Sequence, residues 1–85
     1  MSKVEIYTTM LCGYCGAAKR LLNKKGVEFI EYDVMFKSGL RGEMMERSGG
    51  ATSVPQIFIG DTHVGGSDDL AALEKQGKLE PLLAG

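Results

Sequence analysis

The chain has 85 residues, of which 44% are hydrophobic and 25% charged, and its formal net charge is −1. This size suits one small domain with one core, so we expect residues 1–85 to form a single domain. The balanced, interspersed charges argue against a nucleic-acid surface or a polybasic membrane patch. No apolar run is long enough to span a bilayer, and the first residues lack the apolar stretch of a signal peptide. We therefore expect a soluble, cytoplasmic protein.

A β–α–β unit is predicted for the first half of the chain. Residues 3–8 alternate between apolar and polar side chains, as a strand does. A helix is predicted for 15–25, because lysines near its end suit the negative pole of a helix and Gly26 supplies a left-handed cap. A second strand is predicted for 27–32. A unit of this length implies a parallel strand pair with a right-handed crossover.

For the second half of the chain, the sequence pattern predicts a helix, a β-hairpin and a last helix. Residues 35–39 are expected to form a loop, and 40–47 a short helix. Residues 56–59 and 62–64 are predicted to form a β-hairpin. The last helix is predicted for 67–76, with a polar start that suits capping, and the leucines after it are expected to close the core. The order is β–α–β–α–β–β–α, an α/β fold with a small four-stranded mixed sheet and three helices.

Both cysteines of the chain, Cys12 and Cys15, lie in one tetrapeptide, Cys-Gly-Tyr-Cys, between the first predicted strand and the first predicted helix. A helix N-terminus offers unpaired N–H groups and a positive dipole end, which favour an anion such as a thiolate. A cysteine at such a position is a nucleophile at neutral pH. Cys15 follows one turn later on the same helical face, so the two sulfurs can form and exchange a disulfide.

A zinc site is the main alternative for a Cys-x-x-Cys pair. Zinc takes four ligands, and the rest of the chain offers no further cysteine and only one histidine, His63. That histidine lies in the predicted hairpin, where we expect an ordinary strand residue. We therefore expect no zinc site within one chain, although two chains can pool their thiolates. In a reducing compartment, such a pair favours catalysis or metal binding over a structural disulfide.

The two residues between the cysteines shape the site. Gly13 keeps a backbone N–H and loosens the turn, whereas a proline would remove that donor. Tyr14 is expected to point outward and to flank a small substrate. The alternative is a partly buried aromatic side chain of the kind that any small domain carries.

Four segments of the chain carry a resemblance to a known family. They are Val-Glu-Ile-Tyr-Thr at 4–8, Cys-Gly-Tyr-Cys at 12–15, Ser-Val-Pro-Gln-Ile-Phe-Ile at 53–59 and Gly-Gly-Ser-Asp-Asp-Leu at 65–70. The cysteine motif alone is moderately specific, but the four segments at these intervals are strongly so. Almost end to end, the chain resembles the short, single-domain glutaredoxins of bacteria.

The resemblance implies a thioredoxin-like fold and a groove for glutathione. In that family the Val54–Pro55 bond is cis, and an extended ligand pairs with the Val54 backbone by strand addition. The free N–H groups at the start of the last helix suit the γ-glutamyl carboxylate of glutathione, and Asp68 or Asp69 can pair with its ammonium group. Simple helix capping by Ser67 and Asp68 is the alternative. The implied glutathione-binding residues are Tyr14, Ser53, Val54, Pro55, Gly66, Ser67 and Asp68.

Three positions depart from the family pattern. Gly13 stands where proline is commonest, and Ser67 stands where many relatives carry a third cysteine. Thr9 replaces a lysine that often holds the glycyl carboxylate of glutathione. Lys37 and Arg41 are the candidate substitutes for that lysine.

The resemblance implies a glutathione-dependent thiol–disulfide oxidoreductase. Cys12 would be the nucleophile and Cys15 the resolving thiol. The partners would be glutathione and proteins that carry a glutathione adduct or a disulfide. The chain would act as a monomer with glutathione as co-substrate and no tightly bound cofactor or metal.

An iron–sulfur carrier or sensor is the alternative from a different functional class. Some glutaredoxins that lack the motif proline hold a [2Fe–2S] cluster between two subunits, using the cysteine at the position of Cys12 and two bound glutathiones. Thiolate ligation suits such a cluster, and Gly13 removes the steric limit that a proline imposes. This alternative predicts a cluster-bridged homodimer.

Overall fold

The computed structural model describes residues 2–85, except for the side chain of Ser38. In that part of the chain the elements are, in order, β1 (Val4–Thr8), α1 (Gly13–Lys24), β2 (Ile30–Asp33), α2 (Ser38–Arg47), β3 (Gln56–Ile59), β4 (Thr62–Gly65), α3 (Ser67–Lys75) and α4 (Leu79–Ala84). The strands form one sheet in the order β2–β1–β3–β4. β1 pairs in parallel with β2 and antiparallel with β3, and β3 pairs antiparallel with β4. The predicted mixed sheet and its element order are confirmed.

Helices cover both faces of the sheet. On one face, Val4 and Ile6 of β1 pack with apolar residues of α1, α3 and α4. On the other face, Tyr7 packs with Met44 of α2 and Phe58 of β3. All five residues of β1 are therefore buried, although alternation is typical of a strand with one polar face. None of the helices described in residues 2–85 is both long and apolar enough to cross a membrane.

A fourth helix follows α3, so the prediction of three helices is wrong. Gly77 (φ 71°) ends α3 in a left-handed turn, and the Lys78 N–H then bonds to the Leu73 carbonyl at 2.9 Å. Leu79 and Leu83 lie four residues apart on one face of the short helix and are 0% and 5% exposed. The prediction that these leucines close the core is confirmed. The helix itself was not predicted, and because six residues are too few to be stable as an isolated helix, the burial of the leucines stabilises it.

Two predicted boundaries also shift. The Val27 N–H bonds to the Leu22 carbonyl at 3.4 Å, which continues the turn after α1, and the Val27 side chain is buried in the core. β2 therefore begins at Ile30 rather than at residue 27. α2 begins at Ser38, two residues earlier than predicted, with Lys37 as an N-cap that makes no side-chain hydrogen bond.

A polar network explains how the second face of β1 is buried. The Glu5 carboxylate accepts hydrogen bonds from Arg47 Nη2 at 3.0 Å and from the Tyr32 hydroxyl at 2.7 Å. Arg47 Nη1 also donates to the Tyr7 hydroxyl at 2.8 Å, and that hydroxyl donates to Glu43 at 2.6 Å. Buried polar groups with partners avoid the cost of lost hydration. Helix α2 is thus anchored to the sheet by ionic as well as apolar contacts.

Replacing Glu5 with Gln should make stability less sensitive to acid. Burial raises the pKa of Glu5, but the hydrogen bonds from Arg47 and Tyr32 and the Arg47 charge outweigh it, so the pKa lies below its ordinary 4.5. As the pH falls below about 5, the Glu5 carboxylate binds a proton in the unfolded chain before it does so in the folded chain. The free energy of unfolding therefore decreases as the pH falls through this acidic range. Urea unfolding across this range should give a shallower pH dependence for Glu5→Gln than for wild type.

The exposed Glu28 provides the matched control for this measurement, because no ion pair is formed by Glu28 within the described part of the chain. Glu28→Gln should retain the wild-type slope. An equal slope for wild type and Glu5→Gln would show that the network does not couple Glu5 to folding.

Candidate redox site

Cys12 occupies the N-cap of α1. Its backbone is extended (φ −94°, ψ 111°), and its Sγ accepts a hydrogen bond from the Cys15 N–H at 3.2 Å. The sulfur therefore takes the place of the oxygen that usually caps a helix. For this reason α1 begins at Gly13, two residues before the predicted start. The sulfur lies at the positive end of the helix, among N–H donors that stabilise an anion.

Cys15 lies one turn further along and is chemically different from Cys12. Both cysteines are free, but Cys12 is half-buried whereas Cys15 is buried and 1% exposed. Burial, together with the hydrogen bond and charge of the neighbouring Cys12, raises the pKa of Cys15 from its ordinary 9.0 to about 12. The accessible sulfur is thus Cys12, and Cys15 is a thiol at neutral pH.

The Val54–Pro55 segment faces the Cys12 sulfur. The bond between these two residues is cis, as the resemblance implied. Cys12 Sγ lies 3.6 Å from the Val54 carbonyl oxygen, within reach of a thiol hydrogen bond. Pairing between β1 and β3 begins with Gln56 opposite Tyr7, so the Val54 backbone lies outside the sheet ladder.

A groove of about 170 Å³ lies beside Val54, the residue whose carbonyl faces this sulfur. It is lined by Tyr14, Ser53, Val54, Pro55, Gly66, Ser67, Asp68 and Asp69. All seven residues predicted for glutathione binding are therefore brought together, although they come from three separate segments of the chain. Tyr14 points outward at the rim and is 68% exposed, as predicted. Which ligand the groove takes stays a prediction.

The start of α3 forms one end of the groove and differs from the capped helix that we predicted. Gly66 is the N-cap and makes no side-chain hydrogen bond to the helix, and Ser67 is already the first helical residue. The capping interpretation of Ser67 is therefore wrong. The Asp69 carboxylate instead reaches back and accepts the Gly66 N–H at 2.9 Å. Asp68 is exposed and forms no side-chain hydrogen bond with the residues that the structure describes.

Asp69 is the groove residue that the sequence-based set of seven omits. Its position three residues after Gly66 is the spacing of a capping box, in which an acidic side chain returns to the N-cap N–H. The spacing in the sequence therefore indicates that the Asp69 side chain bonds to Gly66. Asp69 is thus part of the groove wall, and the Asp68 carboxylate is available for a ligand.

None of the three positions discussed for the glycyl carboxylate lines the groove. The Thr9 carbonyl accepts the Cys12 N–H at 3.4 Å. Lys37 is exposed at the start of α2. Arg41 lies nearer, because its Nη1 donates to the Thr52 carbonyl at 3.0 Å, directly before Ser53. By placement, Arg41 is the better candidate to replace the usual lysine.

His63 lies in β4, and the prediction of a strand residue is confirmed. Its Nε2 lies 2.7 Å from the Gln56 side-chain oxygen. Among the described residues, no group of three or more His, Cys, Asp or Glu side chains is placed to hold a metal ion.

Comparison with known proteins decides the family. A family model described as Glutaredoxin matches residues 4–64. The chain belongs to the glutaredoxin family. It is 56% identical to a glutaredoxin of Pseudomonas aeruginosa, with 99% of each chain covered. It is 53% identical to glutaredoxin 3 of Escherichia coli, with 98% of this chain and 99% of that protein covered.

The fold of this glutaredoxin matches solved structures of the family. The crystal structure of a buckwheat glutaredoxin–glutathione complex superimposes with a TM-score of 0.88 at 26% identity, covering 98% of this chain and 77% of that one. The resemblance drawn from the four sequence segments is therefore confirmed, and the thioredoxin-like fold with it.

Replacing Gly65 with Ala should damage the groove wall. Gly65 has a φ of 111°, and a Cβ at this position would collide with the Asp69 carboxylate. We expect Gly65→Ala to lower the free energy of unfolding by about 2 kcal/mol, from backbone strain and from displacement of Asp69. Urea denaturation measures the loss.

Gly77→Ala is the matched control, because Gly77 also has a positive φ, 71°, but no atom lies within 4 Å of its Cβ position. Its loss should be clearly smaller. Equal losses for the two variants would contradict the claim that Asp69 fills the space beside Gly65.

Proposed function

We propose that this protein is a glutathione-dependent thiol–disulfide oxidoreductase that reduces protein–glutathione mixed disulfides and protein disulfides. The observation that carries this proposal is the position of Cys12. Its accessible sulfur caps a helix N-terminus, lies above the buried Cys15, and faces the Val54 carbonyl at the edge of the groove. This arrangement supplies a nucleophile, a second thiol and a binding surface at one point.

The groove suits glutathione in shape and in chemistry. The Val54 backbone lies outside the sheet ladder, so an extended peptide can pair with it and present its cysteinyl sulfur to Cys12. The start of α3 has no capping side chain on Gly66, which leaves N–H donors for the γ-glutamyl carboxylate. The exposed Asp68 carboxylate can then pair with the ligand ammonium group. The buckwheat relative forms a glutathione complex, which supports this ligand.

Deglutathionylation would proceed by two thiol–disulfide exchanges. First, the Cys12 thiolate attacks the glutathione sulfur of a protein–glutathione disulfide; a Cys12–glutathione disulfide forms, and the target protein leaves as a thiolate that takes up a proton. Second, the thiolate of another glutathione attacks the glutathione sulfur of that adduct. Oxidised glutathione leaves and the Cys12 thiolate is restored. The target sulfur is thereby reduced at the expense of the attacking glutathione, while the glutathione of the original adduct stays at the disulfide level throughout.

Protein disulfides would require Cys15. Cys12 attacks the target disulfide and forms a mixed disulfide, releasing one target thiolate. Cys15 then loses its proton and attacks Cys12 Sγ, which closes a Cys12–Cys15 disulfide and releases the second target thiolate. Part of the rise in the Cys15 pKa comes from the hydrogen bond and charge of Cys12. That part disappears once Cys12 is in a disulfide, so Cys15 ionises more readily when it is needed. Glutathione reopens the internal disulfide.

We place this activity in the cytoplasm, where the glutathione pool keeps thiols reduced. The reaction needs one chain, because both cysteines and all the groove residues belong to it. We therefore propose a monomer as the active form.

Cys12→Ser and Cys15→Ser should separate the two reactions. Cys12→Ser should abolish turnover of both a glutathionylated peptide and a protein disulfide, because the attacking sulfur is gone. Cys15→Ser should retain deglutathionylation and lose disulfide reduction, because only the second reaction needs a resolving thiol. Steady-state assays with glutathione, recycled by glutathione reductase and NADPH, measure both activities.

Purified wild-type protein serves as the reference, and the free energy of unfolding of each variant controls for folding. Equal loss of both activities in Cys15→Ser would contradict this division of roles. Retained deglutathionylation in Cys12→Ser would contradict the proposed nucleophile.

A [2Fe–2S] cluster shared by two chains is a second candidate function. One observation favours it: Cys12 is accessible, and no atom lies within 4 Å of the Cβ position of Gly13, so the surface beside the sulfur is open. Cys12 of each chain would ligate the cluster together with two glutathiones, and the cluster would supply electron or cluster transfer. The buried Cys15 would not be a ligand.

Anaerobic reconstitution with iron, sulfide and glutathione tests this second function. If a cluster bridges two chains, the wild type should absorb visible light and elute as a dimer in gel filtration. Both signals should be lost in Cys12→Ser and retained in Cys15→Ser. Gly13→Pro is the discriminating variant, because Gly13 is the first helical residue, where proline fits an α-helix. The cluster should be weakened in Gly13→Pro while deglutathionylation persists. A colourless wild-type monomer would exclude the cluster.

A further inference from the structure

We propose that Gln56 and His63 form a positioning pair that fixes the Ser53–Val54 wall of the groove. Neither side chain lines the groove. Both act at a distance, through hydrogen bonds that end on the Ser53 backbone. This inference rests on the proposed use of the groove for glutathione.

Gln56 links the groove wall to His63 through both ends of its amide. Its side chain is buried, and its Nε2 donates to the Ser53 carbonyl at 3.0 Å and lies 3.4 Å from the Ser53 hydroxyl. Its Oε1 lies 2.7 Å from His63 Nε2. Because a carbonyl only accepts, the amide nitrogen must face Ser53 and the amide oxygen must face His63. His63 Nε2 therefore carries the hydrogen and donates it.

His63 is held in place although it lies on an exposed strand. Its ring stacks on the buried Phe58 ring, with centroids 4.9 Å apart and an interplanar angle of 26°. Phe58 is itself fixed by the Tyr7 ring at its edge and by the Arg47 guanidinium, 4.2 Å from its centroid. The pairing of β3 with β4 also shifts between Ile57 and Phe58, and such a bulge turns the side chains of the bulged strand. The His63 ring, which donates to Gln56, is thus held in place by its packing on Phe58.

Gln56 is a buried anchor of the loop before β3. Within the described residues, side-chain hydrogen bonds also hold residues 48–55 at other points. Ser48 Oγ bonds to the backbone of Met45 and of Ala51, Arg41 bonds to the Thr52 carbonyl, and Cys12 Sγ contacts the Val54 carbonyl. Only Gln56 among these anchors reaches Ser53, the residue directly before Val54. Since the Val54 carbonyl lies 3.6 Å from Cys12 Sγ, a shift of Ser53 moves the ligand-pairing backbone relative to the nucleophile.

Loss of the pair should weaken substrate binding more than it slows chemistry. The Val54 backbone pairs with the ligand before and during sulfur transfer, so its displacement removes binding that ground state and transition state share. Such a loss raises KM and leaves kcat nearly unchanged. One hydrogen bond at this position corresponds to about a fivefold change in KM.

Four single variants and one double variant test the proposal in the deglutathionylation assay. His63→Phe keeps the ring stack and removes the N–H donor, and should raise KM for a glutathionylated peptide about fivefold. Gln56→Met keeps the length and removes both amide contacts, and should raise KM further. The double variant should equal Gln56→Met, because His63 acts only through Gln56. Gln56→Glu keeps the acceptor for His63 but loses the donor to Ser53, and should also raise KM. Thr62→Val, on the exposed strand beside His63, is the matched control.

NMR gives a readout that does not depend on activity. The carbonyl ¹³C resonance of Ser53 should shift in His63→Phe, although no hydrogen bond links His63 to Ser53 in the described structure, and should stay in place in Thr62→Val. An unshifted Ser53 carbonyl, or KM values in His63→Phe and Gln56→Met within twofold of Thr62→Val, would overturn the positioning role. Failure of the wild type itself to turn over the glutathionylated peptide would instead overturn the proposed function.

Discussion

The antiparallel pairing of β1 with β3 is the constraint on which the site depends. It sets Gln56 opposite Tyr7, so the chain that leaves β1 toward Cys12 lies beside the chain that approaches β3 through Val54 and Pro55. Cys12 Sγ and the Val54 carbonyl oxygen, which are 42 positions apart in sequence, are thereby held 3.6 Å apart. The strand pair lies at the centre of the sheet and is covered on both faces. The two strands that lead into the site are thus part of the core of the fold.

The core contains polar side chains whose loss of hydration costs free energy, and hydrogen bonds between the same elements offset that cost. β1 carries Glu5 and Tyr7 into a buried face, and α2 supplies Arg47 to pair with them. Arg47 also lies over the Phe58 ring, which contacts the Tyr7 ring at its edge and stacks with His63. A chain of polar and aromatic contacts therefore runs across one sheet face, from the anchor of α2 to the strand that supports the groove. Through Gln56, this chain of contacts reaches Ser53 in the groove wall from outside the groove.

The two cysteines occupy different environments within one helix turn. The first sulfur is accessible and caps the helix, whereas the second is buried behind it with its pKa raised to about 12. In the proposed mechanism this difference would order the exchange steps: the accessible Cys12 sulfur would attack and leave, and the shielded Cys15 would react only after Cys12 has entered a disulfide. Close contact alone would not provide such an order, since two equally exposed thiols would compete.

Local chemistry along the chain accounts for one part of the fold. The Cys12–Cys15 spacing, the helix end at Gly26 and the hairpin around Gly60 follow from local chemistry and were predicted correctly. The groove residues were also predicted, but from resemblance to a family, because no local rule brings Tyr14, Val54 and Asp68 together. The folded molecule alone reveals four further features: the burial of both faces of β1, the shielding of Cys15, the short last helix, and the link from His63 through Gln56 to Ser53. Each of these depends on packing between elements far apart in the chain, which periodicity and turn residues do not encode.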